Sequence, residues 1–231
     1  TTQGLVYLKH TPEKLALESQ IITCLKQELD AFVPVLINQS LALHCFLMKD
    51  AGLSLREVLR SDFKVSIIVS AFSEFSSLQY SAVTHVDRLL SLGVPDFRLE
   101  KMTDLYMALL LEKALLLEDG LSMQEIADLK SLKLTVAQWC EKLSEYGVKQ
   151  TLVQPDCNDN NILIDPVSGV ITVIDMGEIV ISHPLFSLLN FLYVIKRQYS
   201  LTESNHDYLH IKSACLDQCL KGLTKADVLD A

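Results

Sequence analysis

The stretch Gln154-Pro155-Asp156-Cys157-Asn158-Asp159-Asn160-Asn161 decides the reading of this chain, together with the segments downstream of it: Ile162-Leu163-Ile164, Asp165-Pro166-Val167-Ser168-Gly169, Val170 to Ile174, and Asp175-Met176-Gly177-Glu178. It is a polar loop squeezed between apolar runs. The runs Ile162 to Ile164 and Val170 to Ile174 read as strands joined by a turn-forming segment, that is, a hairpin. Strands this short bring the loop before the first and the residues after the second to the same side of a sheet. Asp156, Asn161 and Asp175 can therefore converge. A carboxylate and a carboxamide offer the hard oxygens that Mg²⁺ favours, with room left for waters and phosphate oxygens. A further carboxylate nearby can orient a hydroxyl and take its proton as it attacks a phosphoryl group. Asn and Asp are also ordinary turn residues, so the competing reading is a polar turn; spacing and flanking strands favour the chemical one.

Upstream, Leu5-Val6-Tyr7-Leu8 reads as a strand ending near Lys9. Thr11-Pro12-Glu13 reads as a helix start, with a capping Thr and Pro at the first helical position, and the helix runs on through Ile21, Ile22 and Leu25. The apolar runs Phe32 to Ile37 and Leu41 to Met48, separated by Asn38-Gln39-Ser40, suggest a hairpin with its turn at 38–40. This small N-terminal lobe closes at Lys49-Asp50-Ala51-Gly52, a plausible hinge. From Leu53 to about Tyr146 the pattern is almost wholly helical: Phe63 to Leu92, a break at Gly93-Val94-Pro95-Asp96, then two helices around Asp119-Gly120. After the hairpin, helices over roughly Pro184 to Tyr199 and Ser204 to Leu220 finish the chain.

Composition narrows the classes. With 231 residues, 49% apolar and only 8 Gly and 6 Pro, the chain is neither disordered nor collagen-like. Its greasiest stretch, Leu105 to Leu117, is interrupted by Glu112 and Lys113, too short for a membrane span. A net charge of −9 argues against nucleic acid as a partner. The six cysteines form no CxxC pair, which fits reduced thiols and a cytoplasmic setting, and the first residues carry no signal-peptide pattern. His206 and His210, like Cys215 and Cys219, lie four apart; that spacing could hold zinc, but the thiols fit an apolar helical stripe better. Cys157 has no base partner nearby in sequence and reads as incidental. Glu178 is either a further metal or substrate contact or an exposed strand-end carboxylate. Glu112, Glu118, Asp119, Glu125 and Asp128 read as a solvated face.

The hairpin and its flanks resemble the aminoglycoside phosphotransferase and choline-kinase-like family, a branch of the protein-kinase-like fold. That family carries an H-x-D-x-x-x-x-N loop, a strand pair and D-x-G; here Asp156, Asn161 and Ile174-Asp175-Met176-Gly177 match. Leu8-Lys9 is similar to its strand lysine, Glu18 to the lysine's ion-pair partner, and Phe46 to Gly52 to its hinge. The resemblance implies an α/β (α+β), two-lobed fold: a small β-rich N-terminal lobe over 1–52, truncated in that the glycine-rich loop expected before Lys9 falls outside this sequence, and a mostly helical lobe over 53–231. It implies ATP (or GTP) and Mg²⁺, with Lys9 and Glu18 clamping the phosphates and Met48 and Asp50 beside the nucleotide. Asn161 and Asp175 would be the metal ligands, and Asp156 the base acting on a hydroxyl of a small molecule. Neither nucleic acid nor membrane is expected as a partner. Three positions depart from the pattern: Gln154 for His, Pro155 for Gly, and Ser187 for Asp. They motivate an alternative, a pseudokinase or nucleotide-binding regulator. A protein-kinase-like effector is disfavoured by the long helical insert and the lack of an activation segment after Asp175.

Overall fold

The computed structural model describes residues 4–221. Strands β1 (Val6–His10), β2 (Leu36–Ser40) and β3 (Cys45–Lys49) form an antiparallel sheet in the order β1-β3-β2. Helix α1 (Glu18–Leu29) buries Ile21, Ile22 and Leu25, the stripe expected from the sequence. Thr11-Pro12-Glu13 leads first into a 3₁₀ turn, Glu13–Leu15. The hairpin turn lies at 41–44, not at 38–40. Asn38 and Gln39 sit instead on the exposed edge strand β2, where the Asn38 carboxamide oxygen accepts from the Gln39 N–H at 2.8 Å. His44, in the left-handed region at φ 45°, closes the turn.

The chain then crosses over through Asp50-Ala51-Gly52 into β4 (Leu53–Ser54) and α2 (Leu55–Ser61). A capping box between Ser54 and Glu57 starts this helix. Long helix α3 (Val65–Ala82) carries the aromatic centre of the core, Phe72 packing on Phe75 and on Phe191 of a later helix. Helix α4 (Val86–Leu92) ends at Gly93. The next region holds four helices rather than the two expected: α5 (Leu99–Leu109), α6 (Lys113–Glu118), α7 (Met123–Ser131) and α8 (Lys133–Glu145). Glu112, at φ −75° and ψ 56°, leaves the helical region without any Gly or Pro to announce it. This subdomain packs around its own small core of Leu110, Leu116 and Ile126.

Strands β5 (Thr151–Val153), β6 (Ile162–Ile164), β7 (Ile171–Val173) and β8 (Val180–Ser182) come next. The hairpin β6–β7 is antiparallel as expected, with Ile162 opposite Val173. Two pairings were not legible: β4 joins the edge of β6, and β5 pairs with β8. The Val173 N–H also donates to the carbonyl of Phe32 at 2.9 Å, so the hairpin touches both parts of the chain. Helices α9 (Leu185–Gln198) and α10 (His206–Lys221) close the fold, α10 lying on α3. Cys215 and Cys219 are fully buried in the core, while the His206 side chain is exposed, so the four do not form one ligand cluster. Among the described residues no helix is long and apolar enough to cross a membrane.

Candidate active site

Three charged side chains, from β1, from α1 and from the segment after β7, meet at one point. Lys9 leaves β1 with its Nζ 2.8 Å from Glu18 Oε1 and 2.5 Å from Asp175 Oδ1. Glu18 sits in the first turn of α1 and is almost wholly buried, whereas Asp175 remains partly open to solvent. Burial alone would lower the Lys9 pKa; the hydrogen bonds to Asp175 and Glu18 more than offset it, and the ammonium is held above its ordinary value. Burial pushes the Glu18 carboxyl up, opposed by Lys9 and the backbone N–H of Met176. Asp175 itself adopts a left-handed conformation, φ 63° and ψ 53°, which a short polar side chain tolerates. The adjoining turn, Met176–Glu178, passes close under α1: a Cβ on Gly177 would come within 3.3 Å of Glu18 Oε2. Glu178 is exposed at the far side of this turn.

The 154–161 loop lies against the same spot. The Ile174 N–H donates to the Asn161 carbonyl at 2.9 Å, which sets Asn161 beside Asp175. Asn161 Nδ2 donates to the Asp156 carbonyl at 2.9 Å and to Asp156 Oδ2 at 3.1 Å, holding the exposed carboxylate of Asp156 over the loop. Asn158 Nδ2 donates to the same carbonyl at 2.9 Å, and its Oδ1 accepts from the Asn160 N–H at 2.8 Å. Behind the loop, buried Gln154 donates through Nε2 to the carbonyls of Ile174, at 3.0 Å, and Asp175, at 2.9 Å. Ser187 Oγ accepts from the Gln154 N–H at 2.9 Å and donates to the Gln154 carbonyl at 3.1 Å. Cys157 is fully buried, its thiol pushed well above the ordinary range by burial.

A third group of contacts fastens the loop sideways. Asp159 is 0% exposed, yet it is fully satisfied. Arg56 donates from Nε at 3.0 Å and from a terminal nitrogen at 2.7 Å to Asp159 Oδ1. Its backbone N–H donates to the Asp159 carbonyl at 2.9 Å. Tyr199 OH donates to Asp159 Oδ2 at 2.7 Å.

Alongside these groups runs a cavity of about 270 Å³ lined by Tyr7, Pro34, Met48, Leu163 and Ile174 together with the polar Lys49, Asp50, Ser54 and Glu57. Asp50 borders it, with Oδ1 turned back to accept from the Gly52 N–H at 3.1 Å. Gly52, at φ +104°, is a place where only glycine fits: a Cβ there would stand 2.2 Å from the carbonyl oxygen of Ile164.

No family model and no curated protein matches this chain. Solved structures do. A Plasmodium vivax ethanolamine kinase superposes with a TM-score of 0.67 at 14% identity, covering 99% of this chain and 64% of that protein. The choline kinase LicA of Streptococcus pneumoniae gives 0.59 at 11% identity, covering 98% and 71% respectively. An APH(2″)-IIa solved in a ternary complex with streptomycin and ATP gives 0.50 at 14% identity, covering 98% and 85%. This chain has the two-lobed, choline-kinase-like fold. It spans 64% of the length of the ethanolamine kinase.

Within this kinase-like fold, the residues singled out from the sequence fall into one region. Lys9, Glu18 and Asp175 are in direct contact; Asp156 and Asn161 are joined by hydrogen bonds; Met48 and Asp50 border the adjoining cavity. Two of the departures from the family pattern turn out to be contacts in their own right, since Gln154 and Ser187 both hold the loop. From sequence, Arg56 has a place only, at the start of the helix after the hinge, and neither it nor Tyr199 has a role in the site. They lie 103 and 40 residues from Asp159, and neither spacing carries a signal. The extra carboxylate inside the loop, Asp159, was the one available hint.

Proposed function

We propose that this chain is an ATP-dependent phosphotransferase that moves the γ-phosphate to a hydroxyl of a small molecule. The observation that carries the reading is the seating of Lys9 between Glu18 and Asp175, beside a loop that presents Asp156 and Asn161. The residues fit a magnesium nucleotide. Asn161 uses its Nδ2 on Asp156, which leaves its carboxamide oxygen as a hard ligand, and the partly open Asp175 carboxylate supplies a second. The cavity next to Met48 offers the apolar side chains of Pro34, Met48, Leu163 and Ile174, with Lys49, Asp50, Ser54 and Glu57 also on its lining, a mix that suits a purine ring with polar edges.

When bound, the magnesium nucleotide supplies the transferable phosphoryl group and a divalent counter-charge. Asn161 and Asp175 would hold the metal. Lys9 would pair with phosphate oxygens, and Glu18, buried behind it, would keep the ammonium from swinging away. Asp156, exposed on the loop, would orient the acceptor hydroxyl and take its proton. Gln154 and Ser187 would hold that carboxylate in place, so most of the rate would come from positioning and charge neutralisation.

The test is acceptor-dependent ADP release by the purified chain with MgATP and a panel of hydroxylated amines and sugars. Asp156→Asn should lower turnover by about 10²–10⁴-fold and leave MgATP binding intact. MgATP binding without turnover on any acceptor would move the reading to a nucleotide-binding regulator. No MgATP binding at millimolar concentration would overturn both.

A further inference from the structure

We infer that Arg56, Asp159 and Tyr199 form a positioning lock that sets the register of the 154–161 loop and thereby aims Asp156. The inference rests on the phosphotransferase reading for its kinetic arm alone. Asp159 lies between Asp156 and Asn161, three residues after the first and two before the second. Its carboxylate and its carbonyl are all engaged, by side-chain and backbone donors of Arg56 and by the phenol of Tyr199. Those donors come from different elements. Arg56 stands at the start of α2, directly after the crossover, and Tyr199 caps the end of α9, its ring 5.2 Å from that of Phe63. The loop is thus tied at Asp159 to the start of α2 and to the end of α9, between the two residues, Asp156 and Asn161, that bond each other directly.

A buried ion pair is a poor source of stability, because apolar residues of the same volume serve as well or better; its better use is to specify one arrangement over others. Here the arrangement specified is that of a segment of which little else is anchored by apolar packing: Pro155, Asp156 and Asn160 are exposed, and Cys157 alone contributes a buried apolar side chain. The charge of Arg56 is also felt by Asp156, since both aspartates of the loop raise the guanidinium pKa, Asp159 foremost. A small tilt of Asp159 would be passed to Asp156 through Asn158 and Asn161, both of which donate to the Asp156 carbonyl. Arg56, Asp159 and Tyr199 touch no reacting atom; they act through Asp156.

Tyr199→Phe removes one hydrogen bond and keeps the ring against Phe63; Asp159→Asn weakens the whole lock; Tyr193→Phe, on an exposed ring of α9, is the control. Hydrogen exchange of the full chain is read at Cys157, Asn160 and Asn161, whose amides are bonded within the loop. Both lock variants should speed exchange there while α1 and α3 stay protected, and Tyr193→Phe should change nothing. In turnover, Tyr199→Phe should lower kcat roughly 10-fold to 100-fold, as misaimed groups do, with the nucleotide KM nearly unchanged. In an Asp156→Asn background that loss should vanish, because the lock acts only through Asp156. Unchanged exchange at the three amides overturns the lock, as does a kcat loss that persists undiminished without Asp156. If the wild-type chain transfers no phosphate, exchange alone decides the lock, and the phosphotransferase reading fails separately.

Discussion

Gln154 shows how one carboxamide can replace a ring. Its Nε2 carries two protons, and both are used, on the carbonyls of Ile174 and Asp175. A neutral imidazole has a single N–H and can serve only one of them. Gln154→His should therefore give no gain in turnover, and Gln154→Leu should destabilise the chain by about 1–3 kcal/mol for the part-buried carbonyls left unpaired, read by urea unfolding. On the proposed phosphotransferase reading, Asp175 and Asp156 have different jobs. Asp175→Asn should impair magnesium-dependent nucleotide binding and turnover together, whereas Asp156→Asn should affect turnover alone; isothermal titration beside the rate assay separates the two. His183 is a third residue with a measurable signature. It is 1% exposed, its Nδ1 accepts from the Leu185 N–H, and burial lowers its pKa from 6.5 to about 4. Between those values the unfolded chain binds the proton that the folded chain refuses, so stability is full above pH 6.5 and is lost as pH falls toward 4. The total is about 3 kcal/mol by linkage, and His183→Gln should flatten that part of the unfolding free energy against pH.

At the scale of elements, what was legible was local. The hairpin β6–β7 announces itself by two apolar runs and a Pro-Val-Ser-Gly turn, and the D-x-x-x-x-N spacing places Asp156 and Asn161 on its near end. Strands β4 and β8 hold two and three residues, below any readable period, and they exist because a distant partner offers its edge. The helices of 99–145 divide at Asp119-Gly120, as the sequence announces, and also at Glu112 and Leu132, where no Gly or Pro marks the break. Arg56, Asp159 and Tyr199 were hidden for the same reason: nothing local requires them to meet. Gly52 is the element-scale counterpart, a crossover residue under the carbonyl of Ile164. Gly52→Ala should destabilise by more than about 1 kcal/mol, since neither its φ nor the space allows a methyl group, and should loosen β4 from β6; thermal melting and exchange at Ile164 would report it.

Across the whole molecule, the contact between Lys9 and Asp175 spans 166 residues and is the strongest sign that the first strand and the hairpin belong to one site. If the site takes a magnesium nucleotide, MgATP should raise the melting temperature by mass action, by an amount that grows with the logarithm of its concentration above Kd. Lys9→Met should blunt that rise without removing the fold. The sulfur buried under Asp156 has a different consequence. Cys157 lies in the core with its thiol strongly disfavoured as thiolate, so an alkylating reagent can reach it only when the loop lifts away. The rate at which that one cysteine is labelled, read peptide by peptide in a mass spectrometer, is a clock for loop opening that needs no substrate.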